Sequence, residues 1–132
     1  MKVKKKVLLL GPAYPYRGGI ADTQNYLAQN LSRLGHEVLV YTFKYQYPKL
    51  LFPGKTQYSS VPMPKGIDIK RKIHSINPIN WIKISNEINH YDPDIVLFRY
   101  WTPFLAPCWI WIAKRLSSKI KKIALVDNWI PH

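Results

Sequence analysis

Acidic residues are scarce in this chain. Seven Asp and Glu stand against twenty Lys and Arg in 132 residues, a formal net charge of +13. Such an imbalance points to an anionic partner: a membrane surface, a polyanionic substrate or nucleic acid. The basic residues cluster at Lys2–Lys6, at Lys65–Lys72 and at Lys114–Lys122. Any one cluster is equally well a solvated basic face; three together make an anionic surface the better reading. Cysteine is scarcer still. Cys108 stands alone, which excludes a disulfide framework and fits a reducing compartment. Long hydrophobic runs are also missing. MKVKKK is followed by four apolar residues that stop at Gly11-Pro12, too few for the apolar region of a signal peptide. The nearest approach to a membrane span, Ile95–Ala113, contains Arg99, Pro103 and Pro107 and divides better into strand, loop and helix. The expectation is a soluble cytoplasmic protein, or one peripheral at the inner face of the membrane.

Several motifs are absent too. Gly-x-Gly-x-x-Gly does not occur, six residues separate Gly11 from Gly18, and no Gly-Lys-Ser/Thr is present. NAD and ATP sites of the common kinds are thereby disfavoured. No second ligand stands at zinc spacing from His132, so no metal and no cofactor are expected. No helix-turn-helix, zinc module or aromatic ribonucleoprotein motif accompanies the charge, which makes nucleic acid the weakest of the anionic partners.

What is present centres on residues 6–35. Val7–Leu10 is a continuous apolar run, as expected of a strand covered on both faces of a parallel sheet. A loop follows with Tyr14, Pro15, Tyr16 and Arg17, then the pair Gly18-Gly19. From Ile20 the period becomes helical, with Ile20, Leu27, Leu31 and Leu34 predicted to share the buried face. Gly35 stands where a left-handed cap is wanted, and Val38–Phe43 is the next strand. A glycine pair ahead of a helix is most often a turn that needs positive φ. Between a first strand and a first helix, though, its bare backbone N–H groups and the helix amino terminus suit an anion. In open α/β sheets ligands bind at that end of the strands.

Beyond it the chain turns irregular. Lys44–Pro64 reads as a long ordered loop with a short strand within Thr56–Val61; Leu51 and Phe52 read as packing the loop down. Ile67–Ile73 alternates apolar and basic residues like an edge strand. Asn77-Pro78 is a helix start, Asn as cap and Pro in the first turn. That helix runs to about Asn89, with Ile79, Ile82 and Trp81 along its apolar side. Asp92-Pro93-Asp94 breaks it before the buried strand Ile95–Phe98. Arg99, Tyr100, Trp101 and Thr102 then sit at that strand's carboxyl end, facing the same crevice as Gly18-Gly19. An indole stacks on a sugar ring and a guanidinium holds phosphate; alternatively Arg99 pairs with a carboxylate and Trp101 is core. Within Pro103–Leu116, Trp109, Ile110, Trp111 and Ile112 are more apolar than one buried face requires, which fits either a membrane-interface helix or burial under further protein. Ile123–Val126 is the last strand. The fold expected is a three-layer Rossmann-like α/β domain, a parallel sheet of about five strands in the order 3-2-1-4-5. Its crevice would gather Tyr16, Arg17, Gly18, Gly19, Arg99, Trp101, Asp127 and Asn128.

The run GPAYPYRGGIADTQNYLAQNLSRLGHEVLVYTF resembles the opening of the family 4 glycosyltransferases, which have the two-domain GT-B architecture. QYPKLLFPGKTQY, INPINW, PDIVLFRYWTPFLAP and DNWIPH resemble one bacterial branch of that family. The resemblance implies a retaining enzyme that moves sugar from a nucleotide-sugar donor to a glycan or lipid-linked acceptor without a metal. It implies that residues 1–132 are an incomplete, acceptor-side N-terminal domain, inactive alone. The donor-binding domain, with its Glu-x7-Glu motif, would lie elsewhere. The irregular 44–64 stretch would lie near the acceptor side of the cleft. Asp127 stands where the wider family often has a histidine near the reacting sugar, and a carboxylate there can stabilise developing positive charge or merely cap the loop. Asn128 and the Pro131-His132 pair complete the motif. Two other readings remain at this stage: a non-catalytic membrane-docking or regulatory subunit of a split glycosyltransferase, and a basic nucleic-acid-binding module.

Overall fold

The computed structural model describes residues 3–14, 19–45 and 66–126. Among these described residues five parallel strands form one sheet: β1 (Lys6–Leu10), β2 (Glu37–Tyr45), β3 (Asp68–His74), β4 (Ile95–Tyr100) and β5 (Lys121–Val126). Their order is β3-β2-β1-β4-β5, with three helices, α1 (Gly19–Arg33), α2 (Pro78–Tyr91) and α3 (Ala106–Arg115), on the two faces. This is the Rossmann-like α/β sheet and the strand order that the alternation of apolar runs and helical periods predicts. Side chains alternate across the pleat. Leu8, Leu10, Tyr41, Phe43, Val96 and Phe98 join the core beneath α2 and α3, while Val7, Leu9 and Val40 join a second core with Ala28 of α1. β1 is central and its last four residues are buried, as its unbroken apolar run requires.

Local chemistry ends each element where expected. Gly35 takes φ +97° just beyond α1, and its neighbour His36 donates its N–H to the Leu31 carbonyl at 3.1 Å. The Asn77 side chain accepts the Ile79 N–H at 3.0 Å, with Pro78 opening α2. Asp92 caps the far end in the left-handed region at φ +54°. Asp94 stitches three strand starts together. Its carboxylate accepts the Lys6 N–H at 2.7 Å, its N–H donates to the Lys6 carbonyl and its carbonyl accepts from Lys121. β3 is an edge strand with Asp68, Lys70 and Arg71 in solvent.

Two helix faces differ from expectation. In α1 the fully buried side chains are Ala21, Gln24 and Ala28. Leu27 and Leu31 flank that line, and Leu34 is exposed. Small residues let the helix axis approach the sheet, so the leucines occupy the shoulder of the contact. In α2 the sheet side is Trp81, Ile84, Ser85 and Ile88. Ile79 is 78% exposed and Ile82 also faces solvent. The Trp81 indole, donating to the His74 carbonyl at 2.7 Å, fixes the rotation of α2 and turns both isoleucines outward.

Candidate functional site

The carboxyl end of β1 meets the carboxyl end of β4 at Gly11. Gly11 has φ +152°, and a Cβ there would lie 2.8 Å from Cβ and 3.1 Å from Cγ of Arg99. Only glycine lets these two segments approach so closely. From Gly11 the β1–α1 turn is tied down on both sides. The Gly11 N–H donates to the Tyr41 carbonyl, the Ala13 N–H to the buried Thr42 hydroxyl at 3.0 Å, and the Tyr14 N–H to the Asn25 side chain at 3.2 Å. Gly19 opens α1 in the opposite circumstance: a Cβ there would meet nothing within 4 Å. No packing demand among the described residues excludes a side chain at Gly19.

Arg99 is only 3% exposed. Its guanidinium donates to the Gln24 side-chain oxygen at 3.3 Å and to the Thr23 hydroxyl at 3.0 Å, so two of its acceptors are neutral groups in the first half of α1. Its backbone carbonyl accepts the Trp109 indole N–H at 2.8 Å. Arg99 thus joins α1, β4 and α3 at the carboxyl end of the sheet. Gln24 is completely buried, and its amide nitrogen has no hydrogen-bond partner because the amide oxygen is turned to Arg99.

Trp101 follows two residues later. It is half-buried, packing edge-on against Phe43 with ring centroids 6.3 Å apart. The indole is anchored to the core while part of its surface stays accessible at the strand end. Thr102 caps the short 3-10 turn Pro103–Leu105 by accepting the Phe104 N–H, and α3 continues from it.

The structure brings Gly19, Arg99 and Trp101 to one end of the sheet, as the strand order demands. Tyr16, Arg17, Gly18, Asp127, Asn128 and His132 lie outside the described residues, as does most of the 44–64 stretch. Gln24, Thr23 and Thr42 are parts of this region that sequence reasoning passed over. One signal for Gln24 was available, a polar residue in register with Ala21 and Ala28 on a helix face of small residues.

Two further concavities lie away from this turn. A groove of about 430 Å³ runs between α3 and β5, lined by Tyr100, Trp109, Ile110 and Ala124 among others. Another, of about 570 Å³, lies at the amino end of β2 and β3, where Glu37, Asp68 and Glu87 face Lys70 and Lys72. Its polar groups partly satisfy each other, Tyr91 donating to Glu37 at 2.7 Å and Lys72 pairing with Glu87 at 3.6 Å. Tyr91 is pushed up by burial first and by its bond to Glu37 second; Tyr41 is also raised, by burial and then by Glu87 and Asp68. Among the described residues no three His, Cys, Asp or Glu side chains form a metal-holding group. Within the same residues no helix is long and apolar enough to cross a membrane.

Gly19 at the start of α1 and Arg99 and Trp101 at the end of β4 and just beyond it thus share the carboxyl end of the sheet. The model of Glycosyltransferase Family 4 matches residues 17–126. The chain belongs to that family. No curated protein matches this family 4 chain in sequence. Among solved structures it is similar to an alpha-glucosyltransferase in complex with UDP and a 13-mer DNA containing a central A:G mismatch. The TM-score is 0.57 at 13% identity, over 92% of this chain and 30% of that one. It is also similar to an alpha-glucosyltransferase in complex with UDP and a 13-mer DNA containing a HMU base, with a TM-score of 0.55 at 15% identity, over 91% of this chain and 30% of that one. This family 4 chain therefore spans about 30% of the length of these structures and shares its fold with that part.

Proposed function

We propose that the chain is the acceptor-side, N-terminal domain of a two-domain retaining glycosyltransferase. It would transfer sugar from a nucleotide-sugar to a glycan or lipid-linked acceptor. The observation that carries this reading is the family match across 17–126, on a sheet whose carboxyl end gathers Gly19, Arg99 and Trp101. The nucleotide-sugar donor is proposed from the family match; the two similar structures, which hold UDP and DNA, add likeness of fold. Their DNA lends no support to a nucleic-acid partner here, since identities of 13% and 15% carry likeness of fold alone.

Glycosyl transfer breaks the bond from the anomeric carbon to the departing phosphate oxygen and makes one to an acceptor hydroxyl. Positive charge develops on the sugar and negative charge on the leaving group. In this proposal the Gly18-Gly19 backbone and the amino terminus of α1 favour the negative side. Trp101 offers a stacking surface to a sugar ring, and Tyr16, Arg17 and Asn128 supply polar contacts to substrate. Asp127 stabilises the positive side. Arg99, buried beneath α1, acts by holding the first turns of that helix to β4 rather than by reaching far into solvent. Most donor contacts come from protein outside these 132 residues.

The test compares release of free nucleotide from a panel of nucleotide-sugars, with acceptor, by the 132-residue chain and by a form extended through a second α/β domain. Transfer is expected only from the extended form. There Asp127→Ala should lower kcat by about 10²–10³-fold, the scale of losing one electrostatic stabiliser. Sugar transfer by the 132 residues alone, or an Asp127→Ala enzyme of undiminished kcat, overturns the proposal.

A further inference from the structure

The groove of about 430 Å³ between α3 and β5 is apolar by construction. Three alanines make the space. Ala106 and Ala113 stand with Ile110 on one stripe of α3, at i, i+7 and i+4, and Ala124 faces them from β5. The buried rings of Phe98 and Trp109 form the floor, edge to face with centroids 5.6 Å apart. The Trp109 indole N–H already donates to the Arg99 carbonyl at 2.8 Å. Lys122, the one charged residue among the described lining, donates its ammonium to the Ser117 and Ile120 carbonyls, each at 3.0 Å. The walls thus offer hydrocarbon surface, and the indole and the ammonium among them are turned to the protein's own backbone.

Its direction connects the groove to the carboxyl end of the sheet. Because α3 starts beyond β4 and runs back along β5, Tyr100 and Ala106 mark one end, beside Arg99 and Trp101. Ala113 and Lys122 mark the other. We infer that the groove holds the hydrocarbon tail of a lipid-linked acceptor, with the acceptor's polar head at the carboxyl end of the sheet. The inference rests on the transfer reading and selects the lipid-linked class of acceptor over a free glycan. Size decides the occupant. From Ala106 to Ala113 the stripe is about 10 Å long at roughly 1.5 Å per residue, so 430 Å³ leaves a cross-section of about 40 Å². That is about half or less of the section of a helix roughly 10–12 Å across. An extended polypeptide would fit by width, but its N–H and C=O groups would face walls that give them no partner. Hydrocarbon has no such groups, and its burial is favourable in proportion to the area removed from water.

The test uses the 132-residue chain and requires no sugar transfer, so its failure leaves the transfer reading standing with a free glycan as acceptor. Glucose and its hexyl, octyl and decyl glucosides, each below its micelle concentration, are titrated into the chain by calorimetry. A neutral head keeps the net charge of +13 out of the comparison. Affinity should rise about two- to fourfold per methylene as the tail enters the groove. Geranyl glucoside against decyl glucoside, equal in carbon number, then tells an isoprenoid tail from a straight one. Ala106→Leu with Ala124→Leu fills the groove; it should erase the dependence on tail length and weaken decyl glucoside about tenfold or more. Ile110→Ser, at a wall position 54% exposed and so tolerant of change, is the second variant and should weaken it about fivefold. Ile79→Ser, on the solvent side of α2, is the control and should cost less than about twofold. An affinity that does not rise with tail length overturns the inference, as does a rise that survives in the filled groove or is lost equally in the control. Velocity sedimentation without ligand is the companion measurement. A dimer abolished by Ala124→Leu would assign the groove to a second copy and overturn it too.

Discussion

Gly11→Ala is the substitution that most directly probes how this end of the sheet is built. An added Cβ would sit 2.8 Å from Arg99 Cβ and 3.1 Å from its Cγ. The nearer atom is bonded to the backbone of a strand paired on both sides, so it cannot swing away as the tip of a side chain would. Overpacking of this kind costs about 1–3 kcal/mol. A further strain of order 1–3 kcal/mol arises because alanine must adopt φ near +152°. Together they predict a loss of about 2–6 kcal/mol, a large share of the 5–15 kcal/mol typical of a folded domain. Urea unfolding followed by far-ultraviolet circular dichroism should show the midpoint falling by roughly 1–3 M, given a slope of about 1–3 kcal/mol per M. A double-mutant cycle with Arg99→Gly separates the two causes. Removing Arg99 Cβ relieves the overlap but not the φ strain, so the cost of Gly11→Ala should fall by about 1–3 kcal/mol in that background. A single mutant within about 0.5 kcal/mol of wild type would refute the close-approach argument. An unchanged cost beside Arg99→Gly would refute the part assigned to Arg99.

Three other outcomes are expected. Gln24→Met keeps the volume but removes an acceptor from the buried Arg99 guanidinium, and should cost about 1–3 kcal/mol in the same unfolding assay; a neutral result would mean the bond contributes nothing. Burial first, then the charge of Lys44, lowers the pKa of His74 below its ordinary 6.5. The unfolded chain therefore takes up the proton first, and stability should fall as pH drops from about 6.5 to the lowered value and level off beneath it. His74→Gln should flatten that slope in melting temperature, and an unchanged slope would assign it to other groups. Burial pushes the Cys108 thiol up to about 12 and leaves none of its surface exposed. A thiol reagent near pH 8 should then modify it only as fast as the domain opens, and reaction at the rate of a free thiol in native buffer would show that the helix is not seated as described.

Much of the architecture was legible because it rests on local chemistry. The unbroken run of β1, Gly35 beyond α1, and Asn77-Pro78 ahead of α2 each act within a few residues of themselves. The breaks and periods they punctuate leave few strand orders open once crossovers must be right-handed. The strand order in turn determines that Gly19, Arg99 and Trp101 share one end of the sheet. Legibility stopped where a side chain's fate depends on a neighbour distant in sequence. Helical period identified Ile20, Leu27, Leu31 and Leu34 as one stripe, yet Ala21, Gln24 and Ala28 meet the sheet, because close approach favours small residues over large ones. Likewise Ile79 and Ile82 are apolar by composition and exposed by position, since the Trp81 indole anchors α2 with the opposite side inward.

By itself, then, the sequence determined the class of fold, the order of strands and the end of the sheet that Gly19, Arg99 and Trp101 share, since these follow from apolar runs and caps. Tertiary structure alone decided that Arg99 lies beneath α1 with Thr23 and Gln24, that Gly11 must lack a side chain, and that Ile79 and Ile82 of α2 face solvent. Each of these is a contact, or the lack of one, between elements far apart in the chain, and no local period encodes which face of a helix its partner will cover.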